Sequence, residues 1–286
     1  MTPVPTPTPD TEAPPLASES GPVIASAQNE RLKAVRSLHR RRSRAKTGRF
    51  LAEGEDLLVA AQAAGWPAVE RLVAAGSGID GTEVEPEVLA AASSLGSGTR
   101  AIGVYEQRWS APVGPLCVYL DGVSDPGNVG AVLRSALAFG AGSVVLGPGC
   151  ADPYGPKAVR ASMGAIFAVP LARVPPDELP GERIALVAGE GEPLAGPVSG
   201  ETTLLVGAER QGLAPEALAA ADRIAHIPIR SESLNAAMAA TVALYELTRG
   251  AIAAPGLGVG EREGSGSATR RPDQADAGPV RRMAHR

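Results

Sequence analysis

The chain has 286 residues, 44% of them hydrophobic and only 3% aromatic, so it has room for two ordinary domains whose cores must be packed by Val, Leu, Ile and Ala. A formal charge of −4 and two cysteines, Cys117 and Cys150, exclude a uniformly basic nucleic-acid coat, a disulfide framework and a cysteine-built zinc site. No apolar run approaches the roughly 20 residues of a membrane helix, and no charged N-terminal stretch precedes a hydrophobic block, so a cytoplasmic, soluble protein without membrane association is expected.

Residues 1–25 hold Pro3, Pro5, Pro7, Pro9, Pro14, Pro15 and Pro22 among Thr, Ser and Glu. That composition reads as a disordered leader, and residues 253–286, rich in Gly and Arg, read as a disordered tail. Between them, residues 26–108 alternate. A basic helix over 29–42 is followed by a strand at 50–52 and a helix over 55–64 that ends at Gly65. A strand at 69–75, a helix at 86–95 and a strand at 101–105 complete a small α/β/α sandwich. Nine cations, Arg31, Lys33, Arg36, Arg40, Arg41, Arg42, Arg44, Lys46 and Arg49, follow one another without an acid. A solvated helix normally mixes charges to gain pairs one turn apart, so phosphate is the expected counter-charge; a merely solvated flank is the bland alternative. Pro112, Gly114 and Pro115 mark residues 109–115 as a linker.

A second α/β domain over 116–252 opens with an apolar strand at 116–120. The turn Asp125-Pro126-Gly127-Asn128 then starts a helix whose buried face is Val129, Val132, Leu133, Ala136 and Leu137. Gly140 ends that helix and 143–146 returns as a strand, giving a βαβ unit and hence a parallel sheet. Further strands are expected at 166–171, 184–188, 203–206 and 224–229. A closing helix over 233–249 would be capped by Ser231 or Ser233 at its start and by Gly250 at its end.

Three segments carry unusual residues: 121–134 (DGVSDPGNVGAVLR), 205–213 (LVGAERQGL) and 227–245 (IPIRSESLNAAMAATVALY). The amides of the 125–128 turn can meet an anion. Arg134 lies off the apolar stripe, and Gly207 ends a strand where backbone must approach something closely. By residue type alone, Asn128 is as readily a helix cap and Arg134 a solvated surface residue. No dinucleotide-type glycine fingerprint is present, and His39, His226 and His285 are scattered, so no metal is expected.

In this order and spacing the three segments resemble the three motifs of the SpoU/TrmH branch of the SPOUT RNA methyltransferase superfamily. The stretch 152–170 (DPYGPKAVRASMGAIFAVP) resembles the same family, and 26–108 resembles the ribosomal-protein-like substrate-binding domain that often precedes it. The resemblance implies a deep trefoil knot in the C-terminal domain, an exception to unthreaded folds, and a homodimer with a shared site. It also implies S-adenosylmethionine held at Gly207, Ile227 and Leu234, with Asn128, Arg134, Glu209, Ser233 and Asn235 as the catalytic set. Arg160, within the 152–170 stretch, joins the nine N-terminal cations as an RNA-contact candidate. The implied reaction is methyl transfer to a ribose 2′-hydroxyl, with ribosomal RNA favoured because a separate recognition domain is commoner among enzymes that act on it. A tRNA enzyme is the nearest alternative, and a non-catalytic RNA-binding or assembly protein is the alternative of another class. Two departures fall beside the cofactor loop: the segment from Ile229 to Ser233 is shorter than usual, and Arg210 stands where glycine is common.

Overall fold

The computed structural model describes residues 22–95 and 98–250; the leader up to residue 21 and the tail expected over 253–286 lie outside the described residues. The N-terminal part runs α1 (Glu30–Leu38), α2 (Arg41–Thr47), β1 (Arg49–Glu53), α3 (Glu55–Ala63), β2 (Glu70–Ala74), β3 (Thr82–Val84), α4 (Pro86–Ala92) and β4 (Ala101–Glu106). Its four-stranded sheet has the order β1-β4-β2-β3, antiparallel except for β2 beside β3. Strand side chains alternate in facing. Leu51, Leu72, Ile102 and Val104 join Leu32, Val35 and Leu38 of α1 and Leu89 of α4 in one cluster. Val73 and Ala101 pack with Leu58 of α3.

The C-terminal part contains β5 (Leu116–Asp121), α5 (Pro126–Ala138), β6 (Ser143–Leu146), α6 (Pro156–Ala161), α7 (Ala165–Ala168) and β7 (Leu171–Ala172). There follow β8 (Glu182–Leu186), β9 (Glu192–Pro193), β10 (Thr202–Gly207), α8 (Pro215–Ala219), β11 (Arg223–His226) and α9 (Ala236–Thr248). The seven strands form one sheet in the order β7-β6-β5-β10-β8-β11-β9, parallel at every pairing. The fold is therefore α/β with a parallel sheet. Leu116, Val118 and Leu120 of β5 face the core shared with α5 and α9, whereas Tyr119 packs with Leu213 and Ala217 on the opposite face. Gly130 lets α5 lie directly on α6, because a Cβ there would come within 2.5 Å of the Ala158 carbonyl oxygen.

Several sequence expectations need correction. The basic helix over 29–42 is two helices, broken where Arg40 adopts extended backbone. Arg44, expected to meet RNA, is only 4% exposed. Its Nη1 donates to the carbonyls of Leu38 (2.8 Å) and His39 (2.9 Å), and its Nε and Nη2 donate to Asp152 Oδ2 at 2.9 and 2.8 Å. Arg44 thus closes the helix break and binds the two parts of the chain together, which removes it from any RNA surface. The expected strand at 166–171 is α7 followed by the short β7; a short apolar run is compatible with either element. The last helix starts at Ala236, not 233, and its cap is Asn235, not Ser231 or Ser233. The strand expected over 224–229 ends at His226, ahead of Pro228. Leu137, assigned to the buried face of α5, is 49% exposed.

Six of the nine aromatic residues (3 Phe, 4 Tyr, 2 Trp) gather where the two parts meet. Phe50 packs on Tyr154 at 4.7 Å and on Phe167 at 5.8 Å between centroids. Trp66 and Tyr105 close on Phe167 at 5.2 and 5.0 Å. Tyr154 Oη donates to the Arg108 carbonyl, and burial pushes its phenol up to about 12. Residues 109–115 run along the sheet edge, with the Ser110 amide donating to the Leu171 carbonyl at 2.8 Å.

Replacing Arg44 with Met leaves the half-buried Asp152 without its charged partner. Denaturant titration of Arg44→Met should show a loss of about 3 kcal/mol or more, with most of it recovered when Asp152→Leu is added. A single variant as stable as the parent would contradict this role.

Candidate active site

β5 and β10 lie side by side with Asp121 in register with Gly207, so the turns that leave both strands emerge together. After β5, Asp125 caps α5: its Oδ1 accepts the Asn128 amide at 3.0 Å, and its Oδ2 pairs with Lys157 Nζ at 2.8 Å. The Lys157 hydrogen bond, then the Asn128 amide, holds this carboxyl below its usual range. With Asp125 serving as the cap, the Asn128 carboxamide is released for other work, and its Nδ2 donates to Glu209 Oε1. Asn235 reaches the same point from the start of α9. Its Oδ1 accepts the amides of Ala237 (3.0 Å) and Met238 (3.3 Å), while its Nδ2 donates to Asn128 Oδ1 at 3.2 Å and Glu209 Oε1 at 3.4 Å. Three segments far apart in sequence therefore close one hydrogen-bonded cluster of two carboxamides and a carboxylate.

A cavity of about 430 Å3 opens beside this cluster, lined by Gly207, Glu209, Ile227, Ser233 and Leu234 together with Leu186 and Leu218. It lies at the carboxyl ends of parallel strands, the usual ligand position of an open α/β sheet. Its aliphatic walls, exposed backbone and the carboxylates of Glu190 and Glu209 suit a ligand with a flat apolar ring and a cationic centre. The backbone shape is fixed locally. Ala208 and Gly212 exchange both backbone hydrogen bonds, at 3.1 and 2.9 Å, and a Cβ on Gly207 would lie 2.2 Å from the Gly212 carbonyl carbon. Glycine is required there by the chain's own hairpin, not only by the space a ligand would need.

Asp121, which sequence reasoning did not single out, holds the far end of this loop. It is 5% exposed and its Oδ2 accepts the Ala214 amide at 2.7 Å. Its signal was present as an acid closing an otherwise apolar strand. Burial, then the neighbouring Asp121 charge, pushes Tyr119 up to about 12, so that phenol stays protonated beneath the crest.

Among the remaining candidates, Arg134 is exposed and makes no hydrogen bond or ion pair among the described residues; one protomer does not bring it to the cluster. Of the basic set, Arg31 pairs with Glu70 at 3.4 Å, Lys33 with Glu30 at 2.7 Å, and Arg36 donates to the Ala27 carbonyl at 2.5 Å. Arg160 stands 4.0 Å from the buried Glu53. Arg40, Arg41, Arg42, Lys46 and Arg49 are exposed without an ion-pair partner among the described residues. No group of His, Cys, Asp and Glu able to hold a metal occurs among the described residues.

Residues 115–245 match the SpoU rRNA Methylase family and residues 29–107 match an MRM3-like substrate binding domain. The chain is 31% identical over 255 residues to the 23S rRNA (guanosine(2553)-2′-O)-methyltransferase RlmP of Bacillus subtilis, covering 78% of this chain and 98% of that protein. It is 35% identical over 183 residues to the 23S rRNA (uridine(2479)-2′-O)-methyltransferase of Streptomyces viridochromogenes, covering 58% of this chain and 61% of that enzyme. The AdoMet-bound rRNA methyltransferase of Sinorhizobium meliloti superimposes with a TM-score of 0.72 at 29% identity, over 81% of this chain and 99% of that one. The SpoU methyltransferase AviRb of Streptomyces viridochromogenes, with its cofactor AdoMet, gives 0.69 at 28% identity over 78% and 98%.

Gly207→Ala should force the loop from Ala208 to Leu213 off the strand end. Calorimetry with S-adenosylmethionine should then show affinity reduced at least ~10-fold, about 1.4 kcal/mol. Unchanged affinity would mean that this loop does not shape the cofactor cavity.

Proposed function

The chain belongs to the SpoU rRNA methylase family, and from that premise we propose that it transfers a methyl group from S-adenosylmethionine to a ribose 2′-hydroxyl of 23S ribosomal RNA. The observation that carries this reading is the convergence of Asn128, Glu209 and Asn235 at the rim of the cavity lined by Gly207, Ile227 and Leu234. S-adenosylmethionine supplies an electrophilic methyl on its sulfonium, so the protein's task is to align one ribose oxygen with it. The O–C bond forms as the S–C bond breaks, S-adenosylhomocysteine leaves, and the hydroxyl proton passes to solvent at the cavity rim. Asn128 and Asn235 keep Glu209 fixed, Ser233 offers a hydroxyl on the cavity wall, and Leu186, Leu213, Leu218 and Leu234 give that wall its apolar part.

Arg134 completes the set. An arginine whose pKa exceeds about 12 is a poor proton acceptor, so Arg134 orients the ribose and its phosphate as a charged donor. It sits one turn before Leu137 on the exposed side of α5, beside α9, where Met238 (62%), Val242 (42%) and Tyr245 (55%) are also open. Such a patch supports a homodimer, in which Arg134 serves the partner's cluster and not its own. We assign the same family's trefoil knot to residues 116–250, which would hold the cofactor loop between the strand ends. The two 23S enzymes among the relatives support ribosomal over transfer RNA, and the free cations of α2 support a recognition role for residues 26–108.

Arg134→Ala should lower turnover at least ~100-fold, the scale of one preorganised charged group, while circular dichroism and S-adenosylmethionine affinity stay at parental values. Near-parental turnover by the folded variant would refute the assignment. In sedimentation equilibrium the parent should be a dimer, and Val242→Glu/Tyr245→Glu should be a monomer with little activity. A monomeric, active parent would overturn the shared site.

A further inference from the structure

Beyond the cofactor cavity, a second cleft of about 460 Å3 lies on the other side of β5. Arg41 of α2, the turn Gly147-Pro148-Gly149 after β6, and Arg173 after β7 frame it. We propose that this cleft seats a phosphodiester of the RNA strand next to the methylated nucleotide, gripped between Arg41 and Arg173. The inference rests on the RNA methyl-transfer reading above and names a contact that reading leaves open.

Charge distribution is the first reason. Three of the four strand arginines are neutralised in place, Arg71 by Asp80, Arg183 by Asp222 and Arg223 by both Glu182 and Glu192, as is Arg100 beside β4 by Glu55; Arg49 of β1 is the exception. Arg41 and Arg173 are exposed, have no carboxylate partner among the described residues, and line a cleft to which no acid contributes. Two like charges facing one space repel unless an anion sits between them. Preorganisation is the second reason. The Arg173 guanidinium stacks 3.7 Å above the Trp109 ring, which fixes its plane and leaves its N–H edge available for bidentate phosphate contact. The turn is also anchored, since Pro148 accepts the Gly122 amide at 2.9 Å. The Gly149 amide donates to no acceptor among the described residues, and with Gly149 at φ +74° the turn can point backbone donors at an anion.

Position is the third reason. A Cβ on Gly149 would lie 3.3 Å from the Gly122 Cα, and one on Gly122 would lie 3.4 Å from the Ala208 Cβ, next to Glu209. The cleft and the cofactor cavity thus flank the same strand end. β6 and β10 stand on either side of β5, so the two openings are separated by roughly 10 Å, two strand spacings, a short step along an RNA strand. Arg41 belongs to the N-terminal part and Arg173 to the C-terminal part, so a phosphate held by both reads the junction between them.

The test is filter binding of unmethylated 23S rRNA, prepared from a strain lacking the gene, to the parent and to Arg41→Gln, Arg173→Gln, Arg173→Lys and the double Gln variant. Each single Gln variant should bind about tenfold more weakly, and the slope of log affinity against log salt should fall by about one. The double variant should lose less than the product of the singles, because both arginines hold one phosphate. Arg173→Lys should recover part of the loss. Melting temperature and S-adenosylmethionine affinity, read on the same samples, should match the parent. That pattern supports the cleft whether or not methyl transfer occurs on the RNA used. Folded Gln variants with parental affinity and slope overturn it even when methyl transfer is normal. Weakened binding with an unchanged slope overturns it too, because the cleft would then hold a base and not a phosphate.

Discussion

The parallel pairing of β5 with β10 is the constraint from which the rest of the catalytic crest follows. Residues 86 positions apart lie hydrogen-bonded side by side, with Asp121 beside Gly207. Because both strands run the same way, the turn into α5 and the hairpin after β10 must leave at the same edge, and Asn128 meets Glu209 there. The same pairing sets Asp121 under the loop from Ala208 to Ala214, where its buried carboxylate can take the Ala214 amide. A one-residue slip would turn Val206 and Leu120 toward the wrong face of the sheet and separate the cluster. Asn235 needs a further condition, namely α9 packed on α5. The Ser135–Thr241 hydroxyl contact at 2.6 Å marks how closely those helices lie.

A second constraint fixes where an RNA surface can lie relative to that crest. The chain has few aromatic residues and spends most of them at the junction between its two sheets. Large rings bury much apolar area at small entropic cost. The Arg44–Asp152 pair gives the junction a direction, because two guanidinium donors converge on one carboxylate oxygen and such charge-assisted bonds are strong. As a result, α2 presents Arg40, Arg41 and Arg42 at a set distance from the strand ends. The exposed cations around α2 and the cluster at the strand ends are thus held on one scaffold.

Much of this was legible in the sequence, for identifiable physical reasons. Strands such as LCVYL and the amphipathic pattern from Val129 to Ala136 announce themselves through burial, which leaves a periodic trace. The ordered motifs pointed to Asn128, Glu209, Ser233 and Asn235 by their spacing; in the fold Asn128, Glu209 and Asn235 share hydrogen bonds, and Ser233 lines the cavity beside them with Gly207, Ile227 and Leu234. What could not be read was pairing. Arg44 looks like its eight basic neighbours, and only the fold puts a carboxylate 108 positions away against it. The cap of α5 is Asp125, leaving Asn128 free, and the cap of α9 is Asn235; each polar residue near a helix start competes for that place, and tertiary partners decide the winner. Segment 166–171 lacked the length that separates a buried helix turn from a strand. Leu137 fits the stripe of α5 by spacing, yet it stays 49% exposed because the packing of the protomer covers it only in part.

The central claim is that this crest directs a methyl group to a ribose oxygen. The most direct measurement incubates the purified protein with unmethylated 23S rRNA and S-adenosylmethionine carrying a 13C-labelled methyl, then digests the RNA and analyses the nucleosides by mass spectrometry. The account predicts that the labelled methyl resides on ribose, at a single 2′-O-methylated nucleoside. Label on a base, or RNA that takes up no label from a protein that binds S-adenosylmethionine, would contradict it.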